Sequence, residues 1–468
     1  MVGMDTGHIP KSDLLQVPIA SGLRRLAIPA GVGFFFTTMF NVVDTFYGGL
    51  ISTEALAALS LSFPVFFFII AAGSGISTGA TALIGNALGA KRLEEARSYT
   101  VQAISFATLC AITLTIVGLA SAPALFRLLG ASGDYLFLSL SYMNVIFIGT
   151  LPFLLNYILN SGLYASGNTR SFRNFLIAGF FLNLILDPWF LFGGMGIPPL
   201  GLPGIALATV LIQGSGNWYL LSQLRKTGLL EDCRPSHFIP KKEAFRELAR
   251  QGFPASLNMA TVGIGIFVIT WFLSRFGKDA VAAYGIASRI EQAALLPVMG
   301  LNIATLTLVA QNNGARLFHR IEKTVKTALL AGVVIMVPAA VAVFIFSEKL
   351  MGIFTGDSVV IAIGVSYLRV ASFIFCAYVI LYINVFALQG MKKPMFAIWI
   401  GVVRQFVAPI PVFFLLAYQL GWGIRGIWWG IFLVTWTAAV FSTLYVRLML
   451  SRMYLNGGPE YETPGSVD

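Results

Sequence analysis

The sequence predicts an all-α integral membrane protein with twelve transmembrane helices in two pseudo-symmetric six-helix lobes. Three observations carry this. Hydrophobic residues make up 57% of the 468 and charged residues 11%, against roughly 25% charged in soluble chains. Polar breaks divide the chain into twelve apolar runs, each long enough at about 1.5 Å per residue to cross a hydrocarbon core. The second half of the chain also repeats the first.

The runs fall near 25–50, 56–88, 97–120, 136–162, 171–192, 202–224, 252–274, 281–311, 324–346, 359–386, 396–420 and 424–449. The segment before the first run is polar, with Asp5, Lys11 and Asp13 in place of the charged start and apolar core of a signal peptide. The first run is therefore expected to act as the insertion signal. The longest break, 225–250, separates six runs from six. The expected organisation is a cytoplasmic segment 1–24, a lobe 25–224, a cytoplasmic linker 225–250, a lobe 251–450 and a cytoplasmic tail 451–468.

Orientation follows from the basic residues. With the N-terminus inside, 23 of the 31 Lys and Arg lie in cytoplasmic segments, and five (Arg127, Arg275, Lys278, Lys349 and Arg425) lie on the other side. Arg289, Arg369 and Arg404 fall inside the runs. This bias is the positive-inside pattern and puts both termini in the cytoplasm of a multi-pass protein of the inner, cytoplasmic membrane. The net charge of +11 is thus an orientation signal, and nucleic acid is excluded as a partner.

At an offset of 225, Glu54–Pro64 lies over Asp279–Arg289, Leu88–Arg92 over Asn313–Arg316, and Ser141-Tyr142 over Ser366-Tyr367. The offset then slips to 223, placing Ser166-Gly167 over Gln389-Gly390 and Asp187-Pro188 over Ile410-Pro411. Six runs is an even number, so the halves share one orientation, and a substrate path is expected between them.

Three carboxylates lie inside runs: Asp44, Asp187 and Glu291. A carboxylate there costs a few kcal/mol by insertion scales, and such residues usually face protein or water and usually carry function. The repeat sets Asp44 over Ile269 and Asp187 over Ile410, so the paired acids belong to the first half alone. Thr37, Asn41 and Asp44 share one helical face. Asn156 and Asn160 are spaced i, i+4, as are Asn183 and Asp187, with Tyr142 and Thr209 in neighbouring runs. Amide and hydroxyl oxygens suit Na⁺ or a protonated acid. Burial and a second carboxylate both favour proton uptake by one member of such a pair. The expected site is a cation- or proton-binding cluster, with Glu291 a secondary candidate paired with Arg289 or Arg404. Pro29, in the first run, and Pro188 permit bends there, and a bend of the first run on protonation of Asp44 is a candidate switch.

Cys110, Cys233 and Cys376 are scattered, and His8, His237 and His319 lie outside the runs or at their edges; neither a disulfide framework nor a bound metal is expected. An intramembrane aspartyl protease would share a proton between two acids, but Asp187 lies in an Leu-Asp-Pro context and the repeat would have no role. No enzymatic activity and no organic cofactor are expected.

In Asn41–Ile69 (NVVDTFYGGLISTEALAALSLSFPVFFFI), Gly79–Ala96 (GATALIGNALGAKRLEEA), Leu159–Arg170 (LNSGLYASGNTR), Asn183–Phe192 (NLILDPWFLF) and Ala282–Gln292 (AAYGIASRIEQ) the chain resembles the multidrug and toxic compound extrusion (MATE) family. The resemblance implies cation-coupled efflux of amphipathic, mostly cationic compounds through a V-shaped pair of lobes. It looks like the DinF-type branch, whose first-lobe acids match Asp44 and Asp187 and whose accompanying polar residues match Tyr142, Asn160, Asn183 and Thr209. The acid of the NorM-type seventh helix has no counterpart in Ala260–Ile269. The function expected is proton-driven multidrug antiport by a monomer working by alternating access. The alternatives are Na⁺ coupling, or flipping of lipid-linked precursors, which would want a more basic cavity.

Overall fold

Helices fill nearly all of the computed structural model, which describes residues 13–194 and 196–455; most of the two terminal segments anticipated above lie outside the described residues. The first lobe holds α1 (Ile19–Ile51), α2 (Thr53–Gly89), α3 (Leu93–Leu128), α4 (Gly133–Ile148), α5 (Thr150–Ala165), α6 (Arg170–Phe192) and α7 (Leu202–Arg225). The second holds α8 (Lys242–Ser274), α9 (Lys278–Gly314), α10 (Phe318–Gly352), α11 (Ser358–Gly390), α12 (Met395–Gln419) and α13 (Ile424–Leu455). Ten of these helices are individually long and apolar enough to span a bilayer, and α4 with α5, bent by 46° at Gly149, makes an eleventh. The twelfth is α7, 24 residues diluted by Gln213, Ser215 and Asn217 and packed against α4, α5 and α6.

Local chemistry sets the ends. Ser52 caps α2 by accepting from the Ala55 amide at 3.1 Å, and Asp357 caps α11 by accepting from Val359 and Val360. At the lysine- and arginine-rich end of the bundle, four helices stop through a left-handed residue: Lys91 after α2, Gly167 after α5, Arg316 after α9 and Lys392 after α11. In each, the next amide reaches back to the carbonyl five residues earlier, as in Arg92 to Ala87 and Leu317 to Asn312, both at 2.9 Å. The stops pair across the halves at an offset of 225, Lys91 with Arg316 and Gly167 with Lys392. The slip to 223 expected at Ser166-Gly167 has therefore not yet occurred there, because the matching helix ends, Ala165 and Gly390, keep the earlier register. The repeat read in the sequence thus extends to the backbone.

α12 is α-helical only in parts. Val403–Val407 and Phe414–Gln419 are π-helical, on either side of Pro409 and Pro411. Prolines have no amide to donate, and the wider turns re-route the hydrogen bonds, as in Ala408 to Val403 at 2.8 Å.

Two apolar cores result. One joins α2 to α7; the other joins α8 to α13. Each takes in the start of the other half's first helix. Ile19, Leu23 and Leu26 of α1 belong to the second core, and Leu248 of α8 belongs to the first. The halves therefore interlock at the basic end. Toward the opposite end the same helices carry exposed large side chains, such as Val42 and Phe46 on α1 and Ile264 and Phe267 on α8.

The 225–250 segment departs from a free linker. Helix α8 begins at Lys242, and the preceding residues dock on α3. Gln102 donates to the carbonyls of His237 and Ile239 and accepts from the Lys241 amide. Arg97 donates to the Gly228 carbonyl and pairs with Glu231. A buried Gln102, invisible as a docking post in sequence, meets three backbone groups that the loop cannot satisfy for itself.

Candidate functional site

The first lobe gathers its polar side chains where α1, α4, α6 and α7 meet. Asp44 on α1 and Asn183 and Asp187 on α6 are all buried. The i, i+4 spacing sets Asn183 and Asp187 on one face of α6, and that face meets α1, whose Tyr47 hydroxyl also donates to the Leu184 carbonyl. Asn183 Nδ2 donates to Asp44 Oδ1 at 3.0 Å. The Asp44 carboxyl also meets the Asp187 carboxyl and the Thr209 hydroxyl of α7, and Tyr142 of α4 is an electrostatic neighbour of both acids. Two carboxyl groups set side by side are suited to share a proton or a cation.

Several acceptors here have no donor from the protein. Both Asp187 oxygens and Asn183 Oδ1 are buried without one. Buried acceptors are costly to leave unpaired. A set made wholly of oxygens fits a proton or a hard monovalent cation such as Na⁺.

Not every expected residue joins. Asn160, on α5, is buried near the Tyr164 hydroxyl of its own helix, with its Oδ1 unpaired. Asn156 donates to the carbonyl and the side-chain oxygen of Gln213, a helix tie of the ordinary kind. Asn41 and Thr37 are exposed, and the Asn41 amide donates to the Thr37 carbonyl at 3.0 Å. The polar face read along α1 therefore ends in one buried member, Asp44.

Glu291 lies in the other lobe and forms a separate cluster. It accepts from the Tyr367 hydroxyl, and from Tyr378, with Arg404 as an electrostatic neighbour. Of the two arginines weighed as partners, Arg404 is buried in the π-helical turn with its guanidinium 5.5 Å from the Tyr378 ring, while Arg289 is exposed. A cavity of about 30 Å³ beside it is lined by Ile269, Tyr378, Arg404 and Gln405. Where the first lobe places Asp44, the second thus places Ile269 next to an arginine.

The sequence reading missed Gln213, Tyr164 and Tyr378. Tyr367 was within reach, because the repeat sets it over Tyr142. Each of those tyrosines stands beside the carboxylates of its own lobe.

Comparison with known proteins bears on the same halves. The family model described as MatE matches residues 29–189 and again 254–415, two stretches whose starts are related by the offset of the repeat. A probable multidrug resistance protein of Bacillus subtilis is 27% identical over 82% of this chain and 83% of its own length. An FAD transporter of Shewanella oneidensis is 30% identical over 86% of this chain and 90% of its own. A solved outward-facing conformation of a multidrug resistance MATE family transporter superposes with a TM-score of 0.88 at 25% identity, over 97% of this chain and all of that one.

Proposed function

Since the chain belongs to the MatE family of multi-pass membrane transporters, we propose that it is a proton-coupled antiporter exporting amphipathic, mostly cationic compounds by alternating access. One observation carries the reading. The Asp44–Asn183–Asp187 constellation is buried, oxygen-rich, short of donors and confined to the first lobe. That arrangement accords with the DinF-type branch. The Arg404 beside Ile269 leaves the second lobe an unfavourable place for a second cation.

The basic end faces the cytoplasm in this reading, by the positive-inside bias, with both termini on that side of the inner membrane. Interlocked basic ends and exposed opposite halves of α1 and α8 correspond to a pathway open away from the cytoplasm. Protonation at Asp44 and a bend of α1 near Pro29 would accompany the turn inward.

The test is efflux of a fluorescent cation from proteoliposomes, with wild type and Asp44→Asn under separate H⁺ and Na⁺ gradients. A proton gradient that drives wild type but not the variant upholds the reading. Drive by Na⁺ alone keeps the site and changes the ion. Normal transport by the variant overturns it. A second reading, export of an anionic flavin dinucleotide, is favoured by the 30% identity to the FAD transporter, and FAD as cargo in the same vesicles decides it.

A further inference from the structure

The interlock at the basic end contains a pair of side-chain amides related by the repeat. Asn86 of α2 and Gln311 of α9 occupy matching positions in the two halves, and both are buried. Asn86 Nδ2 donates to the Gly390 carbonyl of α11 at 2.9 Å, crossing from the first lobe to the second. Gln311 Nε2 donates to the Ala165 carbonyl of α5 at 2.6 Å, crossing from the second lobe to the first. Ala165 and Gly390 match in the same way, and each is the last residue of its helix. Carbonyls of a last turn have no partner within the helix. Each lobe therefore lends an amide to satisfy the open helix end of the other.

The backbones make the same crossing. A Cβ added at Gly89 would lie 1.9 Å from the Gln311 carbonyl oxygen, and one at Gly314 would lie 1.9 Å from the Asn86 carbonyl oxygen. Glycine is needed at both positions for α2 and α9 to meet this closely. Asn313 Nδ2 adds a bond to Asn86 Oδ1 at 2.6 Å. The same helices make repeat-related close approaches to other partners: Gly75 of α2 faces Ser256 of α8, and Gly300 of α9 faces Gly31 of α1.

We propose that Asn86 and Gln311 form a two-fold-related latch that holds the basic ends of the lobes closed and parts when the pathway opens to that side. The chemistry suits a contact that must break repeatedly. Both donors and both acceptors are uncharged, so separation exposes no unpaired buried ion. Once the ends part, water takes over the helix-end carbonyls, and the net cost of each broken bond is modest. Apolar packing alone would close the end without fixing which residues meet. The proposal rests on the transporter reading, though not on the identity of the coupling ion.

The test uses the full chain with its three cysteines replaced by serine, in nanodiscs, carrying spin labels in two alternative pairs. One pair, Ser222→Cys with Arg447→Cys, spans the basic end. The other, Leu128→Cys with Ile353→Cys, spans the opposite end. All four positions are exposed and paired by the repeat. Asn86→Ala with Gln311→Ala is expected to raise the population with the basic ends apart by about tenfold or more, with the opposite-end distance shortening in step. Gly314→Ala should do the same by steric means, and Asn86→Leu with Gln311→Met removes the donors while keeping side-chain length in case the alanine pair does not fold. Unchanged distances at both ends in a monodisperse variant overturn the latch. So does a lower melting temperature with no movement, which marks a static interface. No gradient or cargo enters the measurement, so failure of the coupling proposal leaves this result readable, and failure here leaves Asp44 untouched.

Discussion

Asn183 on α6 donates to Asp44 on α1 at 3.0 Å, and together with the Tyr47 bond to the Leu184 carbonyl this contact links the two helices that carry the buried acids of the first lobe. It joins a helix that reaches across to the second core at its basic end, through Leu23 and Leu26, to one that lies within the first lobe. Any change at Asp44 is therefore made on a helix shared by both halves. That is a physical route from a bound cation to the relative position of the lobes.

Asp44→Asn and Asp187→Asn should each reduce gradient-driven efflux to background while leaving the fold intact. Asn keeps the size of Asp and cannot carry the coupling charge. Equal melting temperatures in detergent, within a few degrees of wild type, together with absent transport in proteoliposomes, are the expected outcome. Retained transport by Asp187→Asn alone would assign coupling to Asp44 only.

The two asparagine pairs should separate function from structure. Asn183→Ala removes a donor to a carboxylate, an interaction of about 1.5–3 kcal/mol, and should cut coupled transport by about tenfold or more. Asn156→Ala removes a neutral tie to Gln213 worth about 1 kcal/mol and should lower the melting temperature with transport within about twofold of wild type. Efflux rates and thermal unfolding on the same preparations check both.

Much of this was legible in the sequence because membrane burial leaves strong marks. Every carboxylate found within an apolar run proved buried, since only protein contact makes such a residue tolerable there. The repeat was legible because it is carried by helix ends and close approaches, where Gly89 and Gly314 admit no substitute. What could not be read was which polar groups meet. Asn41 and Asn183 look alike in sequence, yet Asn183 is buried against Asp44 and Asn41 is exposed. Gln102 looked like any polar residue near a span start, because its three partners are backbone groups of a loop far away in the chain.

Glu291 and Arg404 should behave as structural neighbours and not as the coupling site. Glu291→Gln removes a charge that lies near the buried Arg404 without an ion pair to it, and keeps an oxygen for the Tyr367 hydroxyl, so the expected loss is about 1–3 kcal/mol. Glu291→Gln with Arg404→Met should recover most of that loss. The double variant should export cargo within about twofold of wild type, because the acids of the first lobe are unchanged. Denaturation in detergent and proteoliposome efflux test the two halves of the claim. A stable double variant without transport would move the coupling site to the second lobe.

Gln102→Ala should free the segment between the lobes without touching either polar cluster. The side chain supplies two donors and one acceptor to His237, Ile239 and Lys241, each bond worth about 0.5–1.5 kcal/mol. Ser105 still donates to the Phe238 carbonyl at 2.8 Å, and Arg97 still holds Gly228 and Glu231, so the segment should loosen locally and not detach. Hydrogen exchange is the direct reading. The Lys241 amide loses its acceptor and should exchange about tenfold faster or more, as should its immediate neighbours, while the amides of α3 keep their protection. The segment docks on α3 of the first lobe and runs straight into α8 of the second, so in the proposed alternating-access cycle it would restrain α8 as the basic ends part. A looser segment should therefore raise the transport rate or leave it unchanged. A large fall in rate with normal folding would mean that the docked segment is itself part of the moving machinery.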